Sequence, residues 1–292
     1  MDALAVIVQV SLLVFVISSM LAMGFSLTVE AIITPLKNVK LVLFALAVNF
    51  VAVPIVAWGV GELIGLDQDI FTGLIILATA AGAPFLPKLA GAAKGDTAFS
   101  VGLMVMLMVT TIIYMPIVLP LLLSGVTINP WDIAKSLIVL MLLPLAIGLF
   151  MKGRWSSVAD GLQPHMAQAS SVALIFLLVG GIILQWSDIV GLIGTGGFIA
   201  LALFFLISLV IGYFAGGSDP KMRSVMGLGT AQRNVSAAMV VGAQNFTDSP
   251  DVISTIIVGA LVGLIILLPI AGELGKRVTG SASSTESAPN PG

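Results

Sequence analysis

Long apolar stretches separated by short polar connections dominate this chain. A helix that crosses the hydrocarbon core of a bilayer needs about 20 mostly apolar residues. Nine stretches have about this length, which predicts an all-α polytopic membrane protein with about nine transmembrane helices. Their approximate bounds are Leu4–Met23, Leu41–Leu63, Ile70–Leu86, Thr97–Leu123, Ile133–Met151, Ala167–Trp186, Leu192–Ala215, Met222–Phe246 and Val252–Leu274.

The connections alternate in charge. Basic residues concentrate in every second connection, beginning with Lys37 and Lys40, and again near the C-terminus at Lys276 and Arg277, whereas the connections between them are mainly acidic. Lys and Arg are enriched in cytoplasmic loops. The alternation therefore predicts an outer N-terminus and a cytoplasmic C-terminus in a plasma or inner membrane, and an odd number of spans requires opposite termini as well.

The membrane domain is expected to cover residues 1–279, as two half-repeats of about 1–125 and 130–279. We interpret residues 1–24 as a mature helix and not a signal peptide, because Asp2 and no basic residue precedes the apolar run. Residues 280–292 are small, polar and proline-bearing, which predicts a disordered cytoplasmic tail.

Composition excludes several kinds of chemistry. The chain is 59% hydrophobic and 9% charged with a net charge of −2, which gives no reason to expect nucleic acid as a partner. It has no Cys, and its one His, His165, falls in a predicted solvated connection. Because no catalytic set of carboxylates, His or Ser occurs at a plausible depth, we expect neither an enzyme nor a cofactor.

Two cations fall within predicted spans. A charge at mid-membrane costs at least about 3 kcal/mol on insertion scales, so such residues are rare and usually functional. Lys88 is near the inner end of its span and is able to snorkel. Arg233 is about 16–20 Å from either end of its span, which leaves a binding role or a structural role in capping carbonyls.

Both spans that contain these cations are expected to be interrupted. The first carries Gly82, Pro84 and Pro87, and the second has a polar run from Thr230 to Ser236. Proline breaks a helix, and unwound backbone is tolerated in a membrane only where it faces protein or a cavity. Two interrupted helices at matching places in the two halves predict inverted repeats that cross near the midplane and bind substrate there.

Three motifs carry a resemblance to a known family. AVNFVAVP (Ala47–Pro54), AKGDTAFSV (Ala93–Val101) and QRN (Gln232–Asn234) occur in the order and spacing of the bile acid:sodium symporter superfamily. The chain resembles the nine-span form of that family over nearly its whole length. The resemblance implies a core bundle with two crossing discontinuous helices, a smaller panel, and two sodium ions beside the crossing.

The positions that match the family's sodium ligands differ here. The family's Ser–Asn pair falls at Leu86–Pro87, the following Ser is retained as Ser100 and a Thr one turn later becomes Met104. The acidic residue falls near Gly229, the Gln–Asn pair becomes Arg233–Asn234 and another Gln becomes Asn49. A carboxylate is lost and a cation has appeared, which argues against sodium coupling and leaves at most one weak sodium site at Ser100 and Asn49.

These patterns predict a secondary active or facilitative transporter of a small organic anion that works by alternating access. A proton or sodium ion stays open as the coupling ion. The alternatives are a sodium-dependent organic anion symporter, and a channel or non-transporting membrane scaffold. The predicted substrate site consists of Asn49, Pro84, Pro87, Lys88, Ser100, Thr230, Gln232, Arg233 and Asn234.

Overall fold

The computed structural model of the chain describes residues 2–33, 37–123 and 129–286, with side chains as far as Arg277. Within these ranges the protein is helical and contains no strand. The helices are α1 (Asp2–Ser26), α2 (Val29–Ile33), α3 (Val39–Ile64), α4 (Gln68–Thr79), α5 (Leu86–Ala92), α6 (Thr97–Leu122), α7 (Pro130–Arg154), α8 (Ser156–Leu184), α9 (Trp186–Gly191), α10 (Gly197–Ala215), α11 (Pro220–Ala231), α12 (Val235–Asn245) and α13 (Pro250–Glu286).

Seven of these helices are long and apolar enough to cross a membrane, namely α1, α3, α6, α7, α8, α10 and α13. Two further crossings are interrupted helices, α4 with α5 and α11 with α12. Over the described residues the seven and the two together make the nine predicted crossings. The prediction of an all-α polytopic membrane protein is confirmed.

Two helix ends differ from the prediction. Helix α8 begins at Ser156, so His165 lies on a helix and is exposed there, and its assignment to a connection was wrong. Hydropathy marks only the part of a helix that suits lipid, and it does not detect a polar extension. Helix α13 continues to Glu286. Residues 287–292 lie outside the described part of the chain, and the disordered tail stays a prediction.

A single turn of π-helix interrupts α3 at Val48–Ala52 and α7 at Ile138–Leu142. A proline follows each turn closely, Pro54 in α3 and Pro144 in α7. Since proline has no amide hydrogen, the regular ladder of hydrogen bonds cannot continue unchanged through either point. Such π turns are frequent at functional sites because they redirect side chains, and the turn in α3 contains Asn49.

The helices form a panel and a core. Helix α1 packs along α7 and α8 to make the panel, and its Gly24 lies so close to α7 that a Cβ there would be 2.6 Å from the Leu145 carbonyl oxygen. In the core, α10 packs along α11, and α13 packs along α4. Each core half follows one order, a long helix, an interrupted helix and another long helix: α3, α4 with α5 and α6, then α10, α11 with α12 and α13.

Candidate functional site

The first interruption covers six residues between Thr79 and Leu86. Gly82 lies in its middle with φ of 81°, and a Cβ at this position would be 2.2 Å from the amide nitrogen of Met108 in α6. Only glycine suits both the left-handed backbone and the close approach. The break therefore presses bare backbone against α6.

The second interruption is shorter and covers Gln232–Asn234. Helix α11 ends at Ala231, and Gln232 is extended with φ of −68° and ψ of 118°. Asn234 then starts α12, because its Oδ1 accepts a hydrogen bond of 3.1 Å from the amide of Ala237. This is an ordinary helix N-cap placed in the interior of the protein.

The two interruptions contact each other. The amide of Asn234 donates to the carbonyl of Ala80 at 2.8 Å, and its side-chain Nδ2 donates to the carbonyl of Gly82 at 3.1 Å. Helix α6 adds Thr111, whose Oγ1 lies 3.0 Å from both the amide nitrogen and the carbonyl oxygen of Ala81. The broken ends of the two helices thus satisfy one another's backbone groups, as a buried break requires.

Arg233 joins the crossing to α3. Its side chain is 1% exposed, Nη1 donates to the carbonyl of Ala78 at 2.9 Å, and Nη2 donates to Oδ1 of Asn49 at 2.6 Å. The amide group of Asn49 is oriented by its own donation to the carbonyl of Ala45 at 3.0 Å and to Oγ1 of Thr230 at 3.3 Å. A fork of guanidinium nitrogens suits two acceptors on different elements.

The charge of Arg233 is not balanced. Both hydrogen-bond acceptors are neutral oxygens, and among the side chains that the structure describes no carboxylate pairs with this guanidinium. Its Nε has no hydrogen-bond partner there, nor do the nearby Gln232 Oε1 and Ser236 Oγ. Burying a charge costs several kcal/mol unless a counter-charge and hydrogen bonds offset it, so the crossing presents an uncompensated positive charge.

The structure brings part of the predicted site together. Asn49, Thr230 and Arg233 form one hydrogen-bonded cluster, and Asn234, next to Arg233 in the chain, binds the backbone of the first interruption. Gln232 is buried on the other side of Arg233 in the sequence. The other predicted residues lie outside this cluster: Pro84 and Pro87 are partly exposed, Lys88 is exposed with Nζ 5.6 Å from the centroid of the Phe85 ring, and the buried Ser100 donates to Thr97 of its own helix at 2.7 Å.

Sequence reasoning missed the backbone partners in this cluster. The carbonyls of Ala78, Ala80 and Gly82 accept the hydrogen bonds of Arg233 and Asn234. Freed carbonyls are expected wherever a helix ends, so the predicted break was the available signal. Thr111 gave no sequence signal for its contact with Ala81, because a Thr in an apolar helix usually bonds a carbonyl of its own preceding turn.

The residues that the resemblance places at sodium-ligand positions offer few oxygen atoms. At Gly229, a Cβ would be 3.0 Å from a methyl of Leu86 and 3.1 Å from a methyl of Leu103, so aliphatic groups fill this space. Met104 is buried and Ser100 bonds within its own helix. A hard cation of this kind needs several oxygen ligands, and the oxygen of Asn49 already accepts from Arg233.

Long apolar helices around two interrupted helices that meet in the interior are an architecture that many secondary transporters share, and the chain is a polytopic membrane protein with this architecture. Residues 12–192 match the model of the Sodium Bile acid symporter family, and the chain belongs to this family.

Three curated relatives are similar at low identity. The chain is 21% identical over 253 residues to the "Probable sodium/metabolite cotransporter BASS3, chloroplastic" of Arabidopsis thaliana, covering 84% of this chain and 59% of the relative. It is 19% identical to the BASS3 protein of Oryza sativa subsp. japonica, covering 67% and 46%, and 22% identical to the BASS1 protein of Arabidopsis thaliana, covering 78% and 58%. The chain thus spans about half to three fifths of the length of these relatives.

Proposed function

We propose that this protein carries a small organic anion across the membrane by alternating access, and that Arg233 provides the charge that the anion meets. The observation that carries the proposal is the buried guanidinium without a carboxylate partner among the described side chains. A guanidinium binds a carboxylate strongly, often through two parallel charge-assisted hydrogen bonds. An anionic substrate would therefore balance the charge that the fold leaves uncompensated.

Access to this charge requires a change of conformation. Arg233 is 1% exposed in the structure, so a substrate reaches it only after neighbouring helices move apart. The division into panel and core supplies surfaces that can slide, because α7 and α8 meet the core mainly along α6, α12 and α13. In secondary transporters one such bundle rocks against the other around a fixed central site.

We further propose that transport runs without sodium. A sodium ion placed about 6 Å from an unpaired guanidinium would be repelled by about 3 kcal/mol at an effective dielectric constant of about 20, which is roughly a hundredfold in affinity. The guanidinium already binds the carbonyl of Ala78 and the side-chain oxygen of Asn49. A tethered cation would then take over the role of a bound ion, and transport would be uniport, exchange or proton-coupled.

The distribution of polar groups favours a carrier over a channel. A channel needs a polar path through the whole membrane. Here the hydrogen-bonded cluster of Asn49, Thr230 and Arg233 lies where the two interruptions meet, and most buried residues of α4, α6 and α13 are apolar. Such an arrangement suits a site that opens to one side at a time.

The experiment has two steps. A panel of small carboxylates is first screened for thermal stabilisation of the purified protein, since a ligand that binds only the folded state raises its melting temperature. The stabilising compound is then tested for counterflow in reconstituted vesicles. Transient accumulation of labelled compound against its unlabelled form supports a carrier, whereas simple equilibration indicates a channel and no flux indicates a scaffold.

A further inference from the structure

The π turn of α3 leaves a backbone acceptor without its helical donor. In an α-helix the carbonyl of Phe50 would accept from the amide four residues later, but that residue is Pro54, which has no amide hydrogen. The amide of Val53 bonds to Val48, five residues back, as a π turn requires. Phe50 is buried, and because its α-helical donor is missing, a donor from another element can satisfy its carbonyl.

Tyr114 of α6 supplies this donor. Its hydroxyl donates to the carbonyl of Phe50 at 2.6 Å, and the two rings pack with their centroids 4.7 Å apart. The contact joins α3 to α6 next to Asn49, the residue whose side chain holds Nη2 of Arg233.

The same face of α6 supports the other acceptor of Arg233. Thr111 lies three residues before Tyr114, about one helical turn, and it bonds the backbone of Ala81 in the first interruption. Ala78, whose carbonyl binds Nη1, lies just before that interruption. One helix thus fixes both places from which Arg233 is held.

We propose that Tyr114 is a positioning residue for the anion site, because its hydroxyl replaces the donor that Pro54 lacks and so keeps the π turn that directs Asn49 at Arg233. The predicted effect of Tyr114 on transport rests on the proposed function, whereas its predicted effect on the structure of α3 does not. Without the hydroxyl, the turn is free to rearrange, the Asn49 oxygen leaves the guanidinium, and the guanidinium is held less well for the anion.

The test is a double-mutant cycle of Y114F and P54A in reconstituted vesicles. Y114F keeps the packed ring and removes only the hydroxyl, and we expect the half-saturating anion concentration to rise about fivefold to tenfold, which is the size of one buried hydrogen bond. P54A restores a backbone amide near the Phe50 carbonyl. The half-saturating anion concentration of the double variant is therefore expected to lie within about twofold of that of P54A alone.

The matched control is Y213F, which removes the hydroxyl of the other tyrosine of the chain. Tyr213 packs its ring under Arg223, at 4.3 Å, and its hydroxyl has no hydrogen bond within the described residues. Y213F should leave the half-saturating concentration unchanged. A general loss of folded protein would instead lower the maximal rate of any variant without changing that concentration.

Hydrogen exchange of the amides in Val48–Ala52 gives a second readout that needs no substrate. Y114F should speed exchange in this segment about tenfold, and the P54A background should remove most of that effect. The inference would be overturned if Y114F changed the exchange rate and the half-saturating anion concentration equally in the wild-type and P54A backgrounds. If exchange follows the cycle but the wild-type protein moves no anion, the proposed function fails and the role of Tyr114 in α3 stands.

Discussion

At the scale of single residues, the planar guanidinium group of Arg233 joins the elements that meet at the crossing. Its two terminal nitrogens donate to Ala78 near the end of α4 and to Asn49 in α3, while its own backbone lies in the second interruption. Lysine carries the same charge but only as a point, and it cannot hold two acceptors in a fixed plane. The position therefore calls for the shape of arginine as well as its charge.

We predict that R233A abolishes anion transport while the protein still inserts into the membrane. The substitution leaves two buried acceptors unpaired, each at a cost of about 1–3 kcal/mol, but it also removes a buried charge that has no counter-charge, so we expect the melting temperature to change little. R233K keeps the charge without the planar fork and should keep little of the transport. The control is R154A, which removes an exposed arginine stacked on Trp155. Normal transport by R233A would assign Arg233 a structural role and weaken the case for an anion.

The variant N49D tests whether anion uptake depends on the unpaired charge of Arg233, separately from any loss of stability. It keeps an oxygen acceptor for Nη2 of Arg233 and adds the carboxylate that the described side chains do not provide. We expect anion uptake to fall at least tenfold, because the internal carboxylate competes with the substrate, while the melting temperature stays within a few degrees of wild type. Undiminished uptake would show that the anion does not depend on a free guanidinium charge.

The sequence identified these residues only in part. Arg233 was conspicuous because a charge so far from both ends of its span is costly, and Asn49 was found through the AVNF motif. Their hydrogen bond was not predictable, because 184 positions separate them along the chain. Lys88 was also predicted as a cation within a span, but close enough to its inner end to snorkel, and in the structure it is exposed with its ammonium group over the ring of Phe85.

At the scale of helices, the interruptions depend on glycine and on exchange of hydrogen bonds. The first interruption has Gly82 at a positive φ against the backbone of Met108, and it receives the side chain of Asn234. The second interruption is held by Asn234 as a helix cap. Each break therefore depends on the other for its backbone partners.

We predict that G82A destabilises the protein strongly. A non-glycine residue in left-handed conformation costs about 1–2 kcal/mol, and the added Cβ would be 2.2 Å from the Met108 nitrogen, which belongs to a rigid helix. The matched control is G91A in the exposed last turn of α5, where a Cβ meets nothing within 4 Å. Melting temperatures in detergent should show a large loss for G82A and no loss for G91A. Equal melting temperatures for the two variants would mean that the first interruption accommodates the added methyl group without strain.

The breaks could be predicted because proline, glycine and a polar run in an apolar span are strong local signals. The sequence placed both interruptions within a few residues of Ala80–Phe85 and Gln232–Asn234. The π turn of α3 had no such signal, since Pro54 alone is compatible with several ways of bending a helix. The start of α8 was missed because hydropathy ends where the helix becomes polar.

At the scale of the whole molecule, the proposed transport by alternating access requires that the panel and core move relative to each other. They touch where Gly181 of α8 faces Ile257 of α13, and a Cβ on Gly181 would be 2.7 Å from Cδ1 of Ile257. The neighbouring Gly180 faces Val8 of α1, inside the panel, with 4.0 Å between its Cβ position and the Cβ of Val8. Adjacent positions on one helix thus face a moving and a fixed interface.

We predict that a covalent link across the moving interface stops transport. The chain contains no cysteine, so the pair G181C and I257C can be joined selectively by a short bis-methanethiosulfonate reagent, which forms a disulfide with each thiol and releases methanesulfinate. Transport should fall to background and return on reduction. The control pair G180C and V8C lies within disulfide distance and should be joined with little loss. Full transport by the protein linked at Gly181 and Ile257 would contradict movement of the panel against the core at this interface.

The division into panel and core followed from the family resemblance, and the charges of the connections predicted the orientation of the termini, which stays a prediction. The sequence predicted that the two interrupted helices cross, but it did not predict which atoms of the two interruptions bind each other. The match between Ala80 or Gly82 and Asn234 depends on how whole helices pack, whereas local composition only says that each helix breaks. The Tyr114–Phe50 contact likewise joins helices far apart in the chain.

The central claim is that a tethered arginine has taken the place of a coupling ion. The most direct measurement is uptake of the stabilising carboxylate by reconstituted vesicles with sodium, potassium or choline as the only cation, at equal ionic strength and with no imposed gradient of any other solute. We predict equal initial rates in the three media, because Arg233 occupies the oxygens of Ala78 and Asn49 and repels sodium from the crossing. Uptake that occurs only with an inward sodium gradient would contradict the account.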